Sequence, residues 1–567
     1  MGFNNALFAR MPQNKIGHSL FKKPKTNAGT MMHGDIVPIK CELVAPGSVI
    51  KEKIYGNIRM STPIAPLYSS IKVSFNAFFV PLRLIWDHTK EFFGENTTGT
   101  SPIVNTYSIP KRVLNSKNFT NTQVKVHSVS HYLNKPLYKG STIDSGDATT
   151  QGKISVLKER AYWAVINRWY RHEQVQNPII VSKLDNETIA TKNGSQLGFD
   201  APCQKCLKDF DYFTTMTRYP QFGPDVTLPL GSVAPIIGAS TTHSVGSNKI
   251  VFEPDVGGFS AGFYVDGANG KLARTNNSPG NGVSNADITK TNLVADLSSA
   301  TAATVDELYL AMAAQAWFHN SNYGSRYFEM LEIHYSVSNP DLVLQDPEHI
   351  GEAKRYIQVQ QVLSTAGATS DSTTKLGQPG ANSSTNIEVE FPRHAFGEWG
   401  YFIVLANTYH ERYYSAGVLR EDTYSDLFDF FFPEFSNIGD QGVLRDELYY
   451  SSDNLLDRSD IIGFQEAWSE MRYSPNQLTG LFDPYADANN SSFAGPIKGF
   501  VLGEKWSSAP TLSESFLLEN RDAISDVLVS GATGPDYLFY FYFDDKVLSE
   551  VPLYSVPGLP GRGRGLM

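Results

Sequence analysis

Cysteine is nearly missing from this chain, with three in 567 residues. A disulfide-built scaffold is thereby excluded, and an odd count of thiols fits a reducing compartment. Long apolar runs are missing too. No stretch approaches the ~18 apolar residues that a membrane-spanning helix needs. The first thirty residues hold no apolar run of the ~7–15 residues that mark a secretory signal, so a soluble chain of intracellular origin is expected. Charge is sparse at 19%, whereas helix-rich enzymes usually carry more Glu, Lys, Ala and Leu. Glycine follows no triplet period, which removes a collagen-like reading. Acidic residues are absent from both ends. Residues 1–34 contain Arg10, Lys15, Lys22, Lys23 and Lys25 without an Asp or Glu, and residues 551–567 contain Arg562 and Arg564, again without one. Removing these seven cations from the net −10 leaves −17 for residues 35–550.

What is abundant points to strands and long ordered loops. There are 28 Tyr and 34 Phe, with 45 Gly and 31 Pro. An apolar fraction of 41% can build a sizeable core. Strand patterns begin near Asp35. Over Lys72–Phe79, Val73, Phe75, Ala77 and Phe79 share one face, opposite Ser74 and Asn76. Over Asn386–Phe391, Ile387, Val389 and Phe391 alternate with polar residues. Trp399–Ala406 and Tyr537–Phe543 are apolar on both faces, as central strands are. Asp544, Asp545 and Lys546 follow the second as charged gatekeepers. Periodicity predicts helices over Leu84–Phe93, Ile154–Gln174 and Thr304–Phe318, the last with Thr304 and Glu307 at capping-box spacing. Residues 232–300 are rich in Gly, Ser, Asn and Thr without a sustained period. They read as a long surface insertion with a small hairpin at Phe259–Val265.

No motif adds up to catalysis. Gly258–Gly262 matches G-x-S-x-G, but the Gly- and Asn-rich residues after it cannot form the helix of a nucleophile elbow. Cys203 and Cys206 have zinc-knuckle spacing without a second pair. His127 and His131 are four apart, but in a strand-like run where that spacing does not bring them together. Glu421–Asp422 and Asp544–Asp545 read as solvated strand ends, and no phosphate-cradling loop is present. No catalytic residue, cofactor or metal is expected. The cationic ends are more informative: Lys and Arg in an acid-free segment attract phosphates without reading sequence.

Several segments carry a resemblance. They are RMSTPIAPLYSSIKVSFNAFFVPLRLIWDHTKEFFGEN at Arg59–Asn96, NRWYRHEQVQNP at Asn167–Pro178 and DYFTTMTRYPQFGPDVTLPLG at Asp211–Gly231. DLSSATAATVDEL, YGSRYFEMLEIHYSVSNPD and LQDPEHIG follow within Asp296–Gly351. AWSEMRYSPNQLTG at Ala467–Gly480 and FYFDDKVLSEVPLYSVPGL at Phe541–Leu559 close the series. Together these cover roughly a quarter of the chain, spread from end to end, and they resemble the major capsid protein of the Microviridae, small icosahedral single-stranded DNA bacteriophages, particularly the gokushovirus-like branch. Asp346 and Tyr219–Phe222 depart from that pattern, each removing positive charge.

The resemblance implies a mainly β protein: a single eight-stranded antiparallel jelly roll with long loop insertions and a few packing helices. It implies a basic arm at 1–34 facing the interior, a capsid domain at 35–550 and a tail at 551–567. Residues 232–300 would form a protrusion used for host attachment. The implied partners are the chain itself, as pentamers and a sixty-copy T=1 shell, and packaged circular single-stranded DNA. A small basic DNA-packaging protein, the virus's pilot and scaffolding proteins and a host receptor complete the set, with no membrane insertion. The virion is the implied location, with the host cytoplasm during assembly. Arg10, Lys15, Lys22, Lys23, Lys25, Arg562 and Arg564 are the expected nucleic-acid contacts. The competing class is a β-rich carbohydrate-binding or carbohydrate-active protein, since aromatics and carboxylates suit sugars.

Overall fold

Runs of aromatic and β-branched residues with a period of two have one physical outlet, a pleated sheet with one face against a core. The computed structural model describes residues 17–63, 67, 69–95, 107–114, 121–137, 152–224, 226, 304–322, 324, 326–337, 344–363, 379–450, 460–483, 500–502, 510–525, 527–528, 531 and 534–553. It also describes four short strands between 236 and 295. The chain divides into two units, one of Met1–Pro220 with Gly324–Met567 and one of Gln221–Tyr323.

The first unit is built on two large antiparallel sheets. Their strands are β1 (Ser19–Met31), β2 (Val37–Val44), β3 (Val49–Lys51), β4 (Lys53–Met60), β5 (Ile71–Pro81), β6 (Glu348–Ile357), β7 (Thr385–Glu390), β8 (His394–Ala395), β9 (Gly400–His410) and β10 (Tyr537–Ser549). In the six-stranded sheet β10 is central. It pairs with β1 on one side and with β3 and β4 on the other, and β7 and β8 continue outward from β4 and β3. The four-stranded sheet has the order β6–β5–β9–β2. Inward side chains of the two sheets meet in one core. Phe75 of β5 stands edge-on to Phe541 of β10, with ring centroids 5.5 Å apart. The protein is mainly β, a sandwich of antiparallel sheets with few helices.

Burial follows the sequence pattern closely in most strands. β7 alternates buried Thr385, Ile387 and Val389 with exposed Asn386, Glu388 and Glu390. β9 is buried along its whole length. Its second face is covered by helix α1 (Leu157–Trp169), which packs on β5 and β9, with Trp169 and Tyr170 against Phe78. Tyr162 on that helix gives its hydroxyl to the Ile36 carbonyl at 2.8 Å, which pairs both of these buried groups. At Gly56 of β4 a Cβ would lie 2.5 Å from the Tyr540 carbonyl oxygen, so only glycine lets β4 close on β10.

Several expectations are corrected. Strand structure starts at Ser19 rather than near Asp35, because β10 offers residues 19–31 a full ladder. Leu84–Phe93 is two helical turns, Leu82–Ile85 and Thr89–Phe92, interrupted where the Trp86 indole bonds Asp185 at 2.5 Å. The helix expected over Ile154–Gln174 is shorter, since Lys153–Ser155 pairs as a strand with Lys111–Val113. β10 is not buried on both faces: Tyr537, Phe539, Phe541 and Phe543 are buried, but Leu538, Tyr540 and Tyr542 are exposed.

In the second unit, helix α2 (Val305–Ser321) has the expected capping box. The Thr304 hydroxyl accepts from Glu307 N, and the Glu307 carboxylate accepts from Thr304 N. The described parts of 232–300 are a pair joining Ile236–Gly238 to Leu293–Ala295 and a hairpin of Gly262–Val265 with Leu272–Thr275. The hairpin thus lies further along than Phe259–Val265. A helix that the pattern did not suggest, α3 (Tyr327–Tyr335), follows in the first unit.

Candidate nucleic-acid interface and buried charge networks

Of the seven predicted phosphate contacts, Arg10, Lys15, Arg562 and Arg564 lie outside the described residues. The other three sit on β1, where alternation sends them to opposite sides. Lys22 faces outward, 67% exposed, with Asp544 at 3.9 Å. Lys23 and Lys25 turn toward the opposite sheet and share Glu42 of β2, at 2.7 and 3.9 Å. Burial lowers the pKa of Lys25, while the lysines around Glu42 outweigh its own burial and hold it below the usual carboxylate range. Two of the three cations therefore share an internal carboxylate, and Lys22, beside Asp544 on the outer face, is the most exposed of them.

Asp545 is no solvated gatekeeper. Its carboxylate is buried between the sheets and accepts from Lys40 of β2, which also bonds Glu52 at 2.7 Å. Lys40 additionally lies over the Phe402 and Phe543 rings. Burial disfavours its charge, yet Glu52 and Asp545 win and raise its pKa. One ammonium cannot serve two buried carboxylates fully, and desolvation pushes Glu52 up to about 8. The triad stitches the two sheets together. Glu421–Asp422 is likewise not a strand end but part of a 3-10 turn, Arg420–Thr423.

A second buried network joins β9 to the ends of β1 and β10. Glu519 accepts from His410 Nδ1 at 2.7 Å, from His33 Nε2 at 3.2 Å and from Arg412 at 2.5 Å. Among the described residues, His33, His410 and Glu519 are the grouping with the spacing of metal ligands. The surroundings do not fit a metal. Arg412 points a guanidinium N–H at His410 Nε2, 3.3 Å away, so that nitrogen accepts and Nδ1 keeps its proton. A metal-bound imidazole would instead direct its second N–H at an acceptor. Burial lowers His410 to about 4, and although burial opposes it, Arg412 and His410 hold Glu519 well below the usual carboxylate range. The network is a neutral His410 beside a carboxylate paired with Arg412.

The remaining motifs fall away on geometry. Cys41, Cys203 and Cys206 are buried free thiols, and desolvation raises all three, Cys41 to about 12. None is a poised thiolate. His131 lies within a single helical turn, Val129–Tyr132, and His127 just before it, rather than in a strand, and His127 bonds the Tyr132 hydroxyl at 2.7 Å. Gly258–Ala261 lies outside the described residues, while Gly262 opens a hairpin strand, not a helix. Asp346 pairs with Arg168 at 3.0 Å.

A cavity of about 610 Å³ lies among Tyr212, Tyr414, Tyr424 and Tyr473. Its acids Glu447 and Glu470 are engaged internally. Glu447 accepts from Arg420 and Tyr212, and Glu470 accepts from Tyr424 and Gln441. A glycosidase pair needs carboxylates aimed at a bond, and these are committed to their neighbours.

A family profile described as "Capsid protein (F protein)" matches residues 9–559. The chain belongs to this family. It is similar to proteins named capsid protein VP1 from three phages. These are Bdellovibrio phage phiMH2K (28% identical, covering 99% of this chain and 98% of the relative), Chlamydia phage 1 (26%, 97% and 97%) and Spiroplasma virus 4 (28%, 97% and 97%). The F-family chain is thus a structural, non-enzymatic capsid protein of microvirus type and a component of the virion. Membership implies assembly into a shell and packaging of a viral genome. The carbohydrate-active reading is set aside with it.

Proposed function

We propose that this chain is the single-jelly-roll subunit of a sixty-copy T=1 shell around circular single-stranded DNA. The observation that carries the reading is the order of strands. With β3 and β4 counted as one kinked strand, and β7 and β8 as another, each sheet has four positions. The chain passes between the sheets in the sequence a jelly roll requires, opposite sheets for successive strands except the β5–β6 pair. Two excursions, 82–347 and 411–536, then hold most of the length. Residues 1–34 are assigned as a basic inward-facing segment whose β1 completes the six-stranded sheet, the rest of the capsid domain is assigned to 35–550, and 551–567 is a tail, with 232–300 as the protrusion offered to a host receptor.

Exposed aromatics in the second excursion support self-assembly. Leu427, Phe428 and Phe430 are 66%, 69% and 55% exposed within the run Leu427–Phe435. Phenylalanine is enriched at the buried centres of subunit contacts. The arm's five cations on sixty subunits would supply on the order of 300 charges. Lys23 and Lys25 already share Glu42, which lowers the useful number. A genome thousands of nucleotides long therefore needs further counter-charge, the role assigned to a small basic packaging protein, with pilot and scaffolding proteins assisting assembly in the host cytoplasm.

The assembly surface is tested by Phe428→Ser with Phe430→Ser in the full chain. Sedimentation should show folded subunits or pentamers without shells, whereas shells at the usual yield would remove this surface from the account. For the protrusion, deleting 240–290 should abolish adsorption to host cells. Unchanged adsorption would end the attachment role.

A further inference from the structure

The outward face of the six-stranded sheet has a composition that folding alone does not require. Alternation on β10 turns Leu538, Tyr540, Tyr542 and Lys546 away from the core. Register then fixes their neighbours. Tyr542 lies opposite Tyr55 on β4 and Thr26 on β1, and Tyr540 lies between Asn57 and Ala28. Tyr55, Tyr540 and Tyr542 are 37%, 53% and 38% exposed. Their β1 neighbours, Thr26 and Ala28, are small, so a shallow trough runs beside the rings. Successive outward residues on a strand stand about 6.8 Å apart. That is about twice the ~3.4 Å rise of stacked bases, enough for one base between Tyr540 and Tyr542.

Along the same face Lys546 lies opposite both Lys22 and Lys51, placing three ammonium groups abreast on adjacent strands. Like charges directly opposite destabilise a sheet. The fold offsets this only partly. Lys51 shares Glu390 with Lys53, Lys22 has Asp544 at 3.9 Å, and Lys546 has no ion-pair partner among the described residues. At the other end Arg59 bonds only the Asn57 side chain in the described residues. Five cations on this face (Lys22, Lys51, Lys53, Arg59, Lys546) stand against Glu388, Glu390 and Asp544, on a chain of net charge −10.

We propose that this sheet face binds single-stranded nucleic acid, with bases stacked on Tyr55, Tyr540 and Tyr542 and phosphates on the lysine rung and Arg59. Exposed aromatics on a sheet stack bases of any sequence, and flanking cations track the backbone. A duplex would hide its base faces from the rings. A second protein surface fits less well, because lysine is depleted at the centres of protein interfaces. The inference rests on the reading above that residues 1–34, β1 among them, face the shell interior.

The test uses the full-length chain and a fluorescein-labelled oligothymidylate of twenty nucleotides. Tyr540→Ser with Tyr542→Ser should weaken binding at least tenfold, while Tyr540→Phe with Tyr542→Phe, which keeps the rings, should bind as the parent does. Lys22→Gln with Lys546→Gln should flatten the slope of log affinity against log salt by about 1.4, two phosphate contacts' worth. Ultraviolet crosslinks should map to Tyr55, Tyr540 or Tyr542. Unchanged binding by the Ser pair, or crosslinks confined to other segments, would overturn the proposal. So would Ser variants that bind the oligonucleotide normally but no longer form shells, since the face would then be a subunit contact. Shell formation by the parent chain is scored separately: its absence counts against the capsid-shell reading and leaves the oligonucleotide result to decide this one.

Discussion

Lys40, Glu52 and Asp545 show how little a residue's type says about its place. An Asp-Asp-Lys run after an aromatic strand reads as solvated charge, yet β10 continues through it, and alternation carries Asp545 into the core while Asp544 and Lys546 stay outside. Replacing Lys40 with Met should cost about 3–5 kcal/mol in denaturant melts, because buried Asp545 loses its counter-ion and Glu52 its hydrogen-bond donor. Glu52 adds a pH signature. Its folded pKa of about 8 lies above its unfolded value, so the native state holds the extra proton, and stability falls as pH rises between about 4.5 and 8. Glu52→Gln should flatten that decline in thermal melts at pH 6 and pH 8. The histidine network slopes the other way. His410 is held neutral down to about 4, so its contribution is full above 6.5 and is lost as pH falls from 6.5 through 4. Glu519, with its depressed pKa, adds a loss below about 4.5. Melts of the parent chain should therefore show steep acid destabilisation, which His410→Gln should reduce between pH 6.5 and 4. An identical acid profile in that variant would place the sensitivity elsewhere. None of these partners was legible beforehand, since His33, His410 and Glu519 lie hundreds of residues apart and meet only through β-sheet closure.

At the scale of elements, legibility depended on whether one short stretch determined the outcome. β7 and the α2 capping box were readable because the signal and the structure occupy the same few residues. Residues 19–31 were not. They contain Pro24, Gly29 and three lysines and have no strand signal of their own, and only the β10 ladder makes them a strand. The same dependence on a partner broke the Leu84–Phe93 helix at the Trp86–Asp185 bond. A substitution at the tightest contact between strands tests the sheet directly. Gly56→Val should destabilise by about 1–3 kcal/mol, because its side chain meets the β10 backbone at the Tyr540 carbonyl as well as the Phe541 ring. Melting at the parent temperature would mean that β4 and β10 pair less closely than described.

For the whole molecule, composition was a better guide than length. A length of 567 residues would ordinarily suggest several domains, whereas few charges and many aromatics point to strands and long ordered loops. The sandwich instead uses ten short strand segments, and large apolar side chains remain outside on Phe428, Phe430 and Tyr540. Such surfaces are expected where copies meet or a genome lies, and the family assignment gives both a reason to exist. The positive ends and the negative body, visible in sequence, survive as a partial division: Lys22 faces outward, while Lys23 and Lys25 are drawn into the sandwich by Glu42. The most direct test of the shell reading is electron microscopy of the purified full-length chain. The account predicts icosahedral particles of sixty copies, or pentamers that close into them. A uniform population of monomers under all assembly conditions would contradict it.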